Sequence, residues 1–181
     1  MKKLYLLLFL LISLFQIANA QKGEDFESKT KGLKKYSGYF NFYWNDKTGQ
    51  VFLEINRFND EFLYVNSMPA GVGSNDLGMD RGQIGDSRIV KFIRIGNKVL
   101  LVQPNYSYRA KSNNADERKS VEEAFAQSVI WGFTTEAQDD NKVLVDFTPF
   151  LLRDSHNLSK KLGNSNQGNY HADDTRSAIY L

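Results

Sequence analysis

The chain has 181 residues, a formal net charge of +2 and no cysteine. That length suits one domain, or one and a fraction, at about 100–200 residues per domain. Lack of a thiol excludes disulfides, a thiolate metal site and lipoprotein acylation, and the evenly spread charge offers no dense basic face for a nucleic acid.

Lys2 and Lys3 precede an apolar run from Leu4 to Ile17 that closes on Ala18-Asn19-Ala20. Basic start, apolar middle and small-x-small ending are the three parts of a secretory signal peptide, here residues 1–20, with cleavage expected between Ala20 and Gln21. The run is shorter than the roughly 20 residues that span a bilayer. The mature chain is therefore expected to be exported, to the periplasm or outside the cell, and to leave the membrane after cleavage. Residues 21–35 carry Glu24, Asp25 and Glu27 ahead of Lys29, Lys31, Lys34 and Lys35. This mixture predicts a polar, basic, solvated lead-in before a folded domain over 36–181.

From Tyr36 onward, aromatic and β-branched runs alternate with Gly, Asn and Asp, which predicts a mainly β fold with minor α. The expected architecture is an antiparallel, hairpin-rich sheet or sandwich with one or two short helices packed on it. A first strand is predicted over 36–44 and a second over 50–56, joined by a turn in which Gly49 takes a positive φ. In the second strand Val51, Leu53 and Ile55 share one face, while Gln50, Phe52, Glu54 and Asn56 share the other. Phe58-Asn59-Asp60 turns the chain into a third strand over 61–67. After a glycine-rich stretch, strands 88–95 and 98–103 meet across Gly96-Asn97, a pair suited to a type II′ hairpin turn. Asn114 is placed to cap a helix with acidic residues in its first turn and a narrow apolar stripe, expected to lie across the sheet. Strands over 128–137 and 142–147 follow, joined by Asp139-Asp140-Asn141. Thr148 or Asp154 can cap a short helical segment before Gly163, and 176–181 has the character of a beginning strand. The apolar ending Ala178-Ile179-Tyr180-Leu181 leads us to expect a fragment of a longer protein, because free carboxyl termini are usually solvated.

Candidate chemistry is sparse. His156 and His171 do not form the H-E-x-x-H pair that seats zinc on one helix face. A site from His156, His171 and Asp173 or Asp174 is conceivable, but isolated histidines in polar loops are commonly surface residues. Asp154, Ser155 and His156 contain the residue types of a hydrolytic triad, yet sequence neighbours rarely reach nucleophile–base–orienter geometry. No catalytic, cofactor-binding or metal-ligating residue is assigned. The candidate functional loop lies between Ala70 and Arg88 and contains Gly71, Gly73, Asn75, Asp76, Asp80, Arg81 and Asp86; it matches neither a dinucleotide fingerprint nor an EF-hand. The aromatic segment Tyr36 to Trp44 carries rings on both faces and is a second candidate surface for peptides or sugars, with packing the expected use of most of its rings.

Longer blocks carry a more specific signal. They are Lys31-Gly32-Leu33-Lys34-Lys35-Tyr36, Phe42-Tyr43-Trp44, Phe62-Leu63-Tyr64-Val65-Asn66-Ser67, the segment Gly71 to Gly85, Val99-Leu100-Leu101-Val102-Gln103-Pro104-Asn105, Phe125-Ala126-Gln127-Ser128-Val129, Leu151-Leu152-Arg153-Asp154 and Arg176-Ser177-Ala178-Ile179-Tyr180-Leu181. Together they resemble the N-terminal region of a family of large secreted bacterial zinc-dependent metalloproteases. The resemblance implies a noncatalytic accessory domain of a precursor whose zinc-binding H-E-x-x-H helix lies downstream. Zinc is implied only for that missing catalytic domain. The implied partners are the downstream protease domain and a peptide or protein substrate. Two alternatives remain: a self-contained exported binding module using the aromatic strand or the glycine-rich loop, and an independent hydrolase using His156 or His171.

Overall fold

The computed structural model describes residues 24–73 and 77–181. The cleavage residues Ala20 and Gln21, and the loop residues Asn75 and Asp76, lie outside the described residues.

Among the described residues, nine strands and four short α-helices follow one another as β1 (Glu24–Asp25), α1 (Phe26–Thr30), β2 (Lys34–Tyr36), β3 (Phe42–Asn45), β4 (Gln50–Ile55), β5 (Glu61–Tyr64), β6 (Arg88–Ile95), β7 (Lys98–Gln103), α2 (Ala115–Ala124), β8 (Ser128–Asp139), β9 (Lys142–Asp146), α3 (Thr148–Leu152) and α4 (Leu158–Asn164). The strands run β2-β3-β4-β9-β8-β7-β6-β5 across one sheet. Every neighbouring pair on that path is antiparallel. The mainly β, hairpin-rich expectation therefore holds.

The long β8 gives the sheet its shape. Its first part, Ser128 to Thr134, pairs with β7, and Thr135 onward pairs with β9. Register shifts between Leu101 and Val102 on β7, and between Thr135 and Ala137 on β8, mark irregularities of the kind that bend and twist a strand. β1 runs parallel to β8 at Ala137 and Gln138, on the edge that β7 has left.

Bending brings the inner faces of the two halves together. Leu53 and Ile55 of β4 and Val143 and Val145 of β9 join Val90, Phe92, Val99, Leu101 and Phe133 from the other half in one buried cluster, with Phe150 of α3 against it. Where the two ends of the strand path approach, ring contacts take over from the ladder. Phe40 sits edge-on to Phe62 at 5.0 Å and to Phe92 at 5.4 Å. The Asn59 N–H donates to the Phe92 carbonyl at 2.8 Å.

Residues 24–35 are not a solvated lead-in. Asp25 caps α1 by accepting from the Ser28 N–H at 3.2 Å, and the helix delivers Phe26 into a second buried cluster with Tyr43, Phe52, Ala137 and Leu144 on the outer face. Leu33 packs against the same group. Two apolar residues among many charges were enough to fold this segment onto the sheet, while Lys31, Lys34 and Lys35 stay exposed.

Other boundaries shift for local reasons. The predicted strand over 36–44 divides into β2 and β3 around Ser37 to Asn41, so that Phe40 can turn inward. The Gly49 turn and the Gly96-Asn97 hairpin form as expected, with φ of +70° and +61° at the two glycines. Asn114 caps α2 through its side chain, which accepts from the Asp116 N–H at 2.9 Å, but no residue of that helix is buried. Its apolar stripe is therefore not buried against the sheet. Gly163 falls inside α4, and 176–181 forms no strand. No helix among the described residues is long and apolar enough to cross a membrane.

Candidate functional site

β5 ends at Tyr64, and the chain then leaves the sheet on the glycine-rich excursion. A narrow antiparallel ladder closes its base. The Gly85 N–H donates to the Asn66 carbonyl at 2.7 Å, the Met68 N–H to the Gln83 carbonyl at 3.0 Å and the Gly82 N–H to the Met68 carbonyl at 2.7 Å. Farther out, the Val72 N–H reaches the Met79 carbonyl, and the Met79 side chain is buried. The excursion is thus anchored, and its base presents Asn66 and 83–88 to the space beside α3 and α4.

The α3–α4 connection supplies the facing wall. Arg153 sits over Phe150, its Cζ 3.6 Å from the ring centre. It donates from Nη1 to the Phe150 carbonyl at 2.5 Å and from Nη2 to the Tyr64 hydroxyl at 2.7 Å. Asp154 accepts from the N–H groups of Leu158 at 2.7 Å and Ser159 at 2.9 Å, and so starts α4. Burial works to raise the Asp154 carboxyl, but the Ser159 and Leu158 donors and the neighbouring His156 outweigh it and hold it below the usual range. The Asn66 amide bridges the walls, 3.1 Å from His156 Nε2 and 3.4 Å from the Ser155 carbonyl.

Between these walls lies a cleft of about 420 Å³, within the size range of small-ligand sites. Its chemistry is polar: Arg88, Arg153, Lys161 and His156 line it together with Asp86 and Asp154.

The sequence candidates divide around this cleft. Asp86 lines it, 3.4 Å from Arg88. Gly71, Gly73, Asp80 and Arg81 sit on the exposed outer part of the excursion. His156 and Ser155 line the cleft, whereas His171 is exposed elsewhere and Asp173 accepts from the Thr175 N–H and hydroxyl at a 3-10 turn. The geometry separates the triad types. Asp154 is committed to the start of α4, the His156 ring contacts an amide, and among the described residues no hydrogen bond joins the Ser155 hydroxyl to that ring. The aromatic segment is spent mostly on packing, with Tyr36 stacked on Phe42 at 4.8 Å and Tyr43 buried. Sequence reasoning missed Asn66, Arg88 and Lys161 as cleft residues, because no local pattern reports that β5, β6 and α4 end beside one another. Asn66 and Arg153 did stand in distinctive blocks, but as marks of resemblance.

Residues 82–181 match the family described as a domain of unknown function (DUF5117), and residues 24–71 match another described as a domain of unknown function (DUF5118). No match to the chain is found among curated proteins or among solved structures. The two matched regions meet in the glycine-rich excursion, yet their strands interleave, with β4 on β9, β5 on β6 and β1 on β8. With more than half of its length inside the first match, the chain belongs to the DUF5117 family.

Proposed function

We propose that this chain is a noncatalytic N-terminal accessory domain of an exported zinc-dependent metalloprotease, serving the folding, docking or substrate positioning of a catalytic domain downstream. The observation that carries this reading is the series of resemblance blocks from Lys31 to Leu181, which runs through both matched regions. Several blocks fall on structural elements: Phe42-Tyr43-Trp44 on β3, Phe62-Leu63-Tyr64 on β5, Val99 to Gln103 on β7 and Leu151-Leu152-Arg153-Asp154 at the end of α3. A domain kept for its scaffold and docking surfaces would place its distinctive residues in this way. The chemistry of peptide cleavage would belong to the downstream domain, where zinc polarises the carbonyl and a glutamate activates water. The leader over residues 1–20 would take the precursor out of the cytoplasm.

The test has two steps. Genomic sequence read in frame past Leu181 is expected to encode an H-E-x-x-H helix. The catalytic region, expressed with and without this chain, is then expected to lose soluble yield or peptide hydrolysis when the chain is removed. A stop codon directly after Leu181, or a catalytic region indifferent to the chain, would overturn the proposal. A self-contained exported binding module is the second reading, and the polar cleft favours it.

A further inference from the structure

We propose that the cleft between the base of the glycine-rich excursion and the α3–α4 connection binds the oxyanion group, carboxylate or phosphate, of a small ligand. This inference stands whether or not a protease domain follows.

The cleft holds more available cationic groups than anionic ones. Arg153 has five N–H donors, of which the Phe150 carbonyl and the Tyr64 hydroxyl take two. Its contact over Phe150 and these two hydrogen bonds hold the group in place, so a ligand meets a guanidinium that is already positioned. Lys161 lines the same space, with no ion-pair partner among the described residues. Arg88 completes the set, paired among the described residues with Asp86, whose side chain is 85% exposed and therefore well screened. The other carboxylate, Asp154, keeps its charge but has both oxygens engaged by backbone N–H groups at the start of α4.

His156 adds direction. Where the Asn66 amide donates to Nε2, Nδ1 is the ring nitrogen left to carry a proton and donate. A forked guanidinium beside an ammonium and an imidazole N–H matches a carboxylate or a phosphate better than a neutral or cationic group. The volume of about 420 Å³ admits the body of a small molecule or a short peptide end behind that group.

The experiment follows the His156 ring resonances of the full chain during three titrations. The probes are inorganic phosphate, a tetrapeptide with a free C-terminal carboxylate, and the same tetrapeptide amidated. We expect phosphate or the free-acid peptide to shift His156 saturably, and the amidated peptide to bind at least tenfold more weakly. Phosphate alone acting would identify a phosphate-bearing ligand; the free acid acting would identify a carboxylate. Lys161→Gln and Arg88→Gln, both at solvent-reaching positions, should each weaken binding about tenfold for one lost charge-assisted contact. The proposal is overturned if no probe shifts His156 saturably, if the free-acid peptide binds and amidation leaves that binding unchanged, or if both folded variants bind as tightly as the parent. The comparison of free and amidated peptide is made on the unaltered chain, so it decides even where a variant fails to fold.

Discussion

Glu54 is a carboxylate with 5% of its surface exposed, on a strand buried on both faces. Its neighbours account for its being there: the Tyr43 hydroxyl donates at 2.8 Å, the Asn41 amide at 3.0 Å, and Lys35 Nζ stands 3.9 Å away. A buried acceptor left unmade costs about 1–3 kcal/mol. Tyr43→Phe is therefore expected to lose about that much stability in urea unfolding at pH 7. Burial first, and then the bond to Glu54, push the Tyr43 phenol above its ordinary value. A raised value means that its contribution is fully present below about pH 10 and is lost as pH rises further. Stability of the parent should fall above that pH more steeply than stability of Tyr43→Phe. A second residue-scale prediction concerns Gly85, where an added Cβ would lie 2.6 Å from Asn66 Oδ1. Gly85→Ala should push the amide off His156, a change visible in the ring resonances, and the flexible end of Asn66 should keep the stability cost small.

β8 must serve two half-sheets, and the cost shows at Thr135. Its hydroxyl is buried without a partner among the described residues, at the register shift where β8 passes from β7 to β9. Thr135→Val keeps the shape and removes the orphaned group, so a gain of about 1 kcal/mol is expected in thermal or urea unfolding. The start of α4 is a second element held by one side chain. The depressed Asp154 carboxyl contributes stability that is complete above the unfolded value near 4 and is lost as pH falls through the lower folded value. Asp154→Ala should cost about 1 kcal/mol at neutral pH, as a lost helix cap does, and should weaken the acid dependence. Unfolding curves collected between pH 2 and pH 7, roughly spanning the carboxylate range, check both.

At the scale of the whole molecule, the two matched regions form one folding unit. Leu53 and Ile55 come from residues 24–71, while the rest of their buried cluster comes from residues 82–181. Separated, each region would expose an unpaired strand edge, at β4 and β5 in one and at β6 and β9 in the other. Residues 24–71 and 82–181 expressed apart should each lack a cooperative unfolding transition and should recover one when mixed. Independent cooperative unfolding of either piece would count against a shared core. The same interleaving makes the cleft, because its walls come from the junction between the regions and from the α3–α4 connection.

The hairpins and caps were legible in the amino-acid sequence because their causes lie a few residues apart. Gly49 and Gly96 supply the positive φ that their turns need, and Asn114 reaches the second N–H of its own helix. Strand alternation likewise placed Leu53 and Ile55 together on one face. Tertiary structure alone decided the rest. Phe26 and Leu33 are weak apolar marks in a charged segment until the outer face of β3, β4 and β9 offers them a surface. The double use of β8 depends on its pairing with strands on both sides, which period-two alternation does not encode. The cleft was hidden for the same reason: Asn66, Arg88, Arg153 and His156 become one site only when pairing brings distant segments together. Local chemistry sets turns, caps and faces, whereas a site assembled across nearly one hundred residues of chain is set by which buried faces find each other.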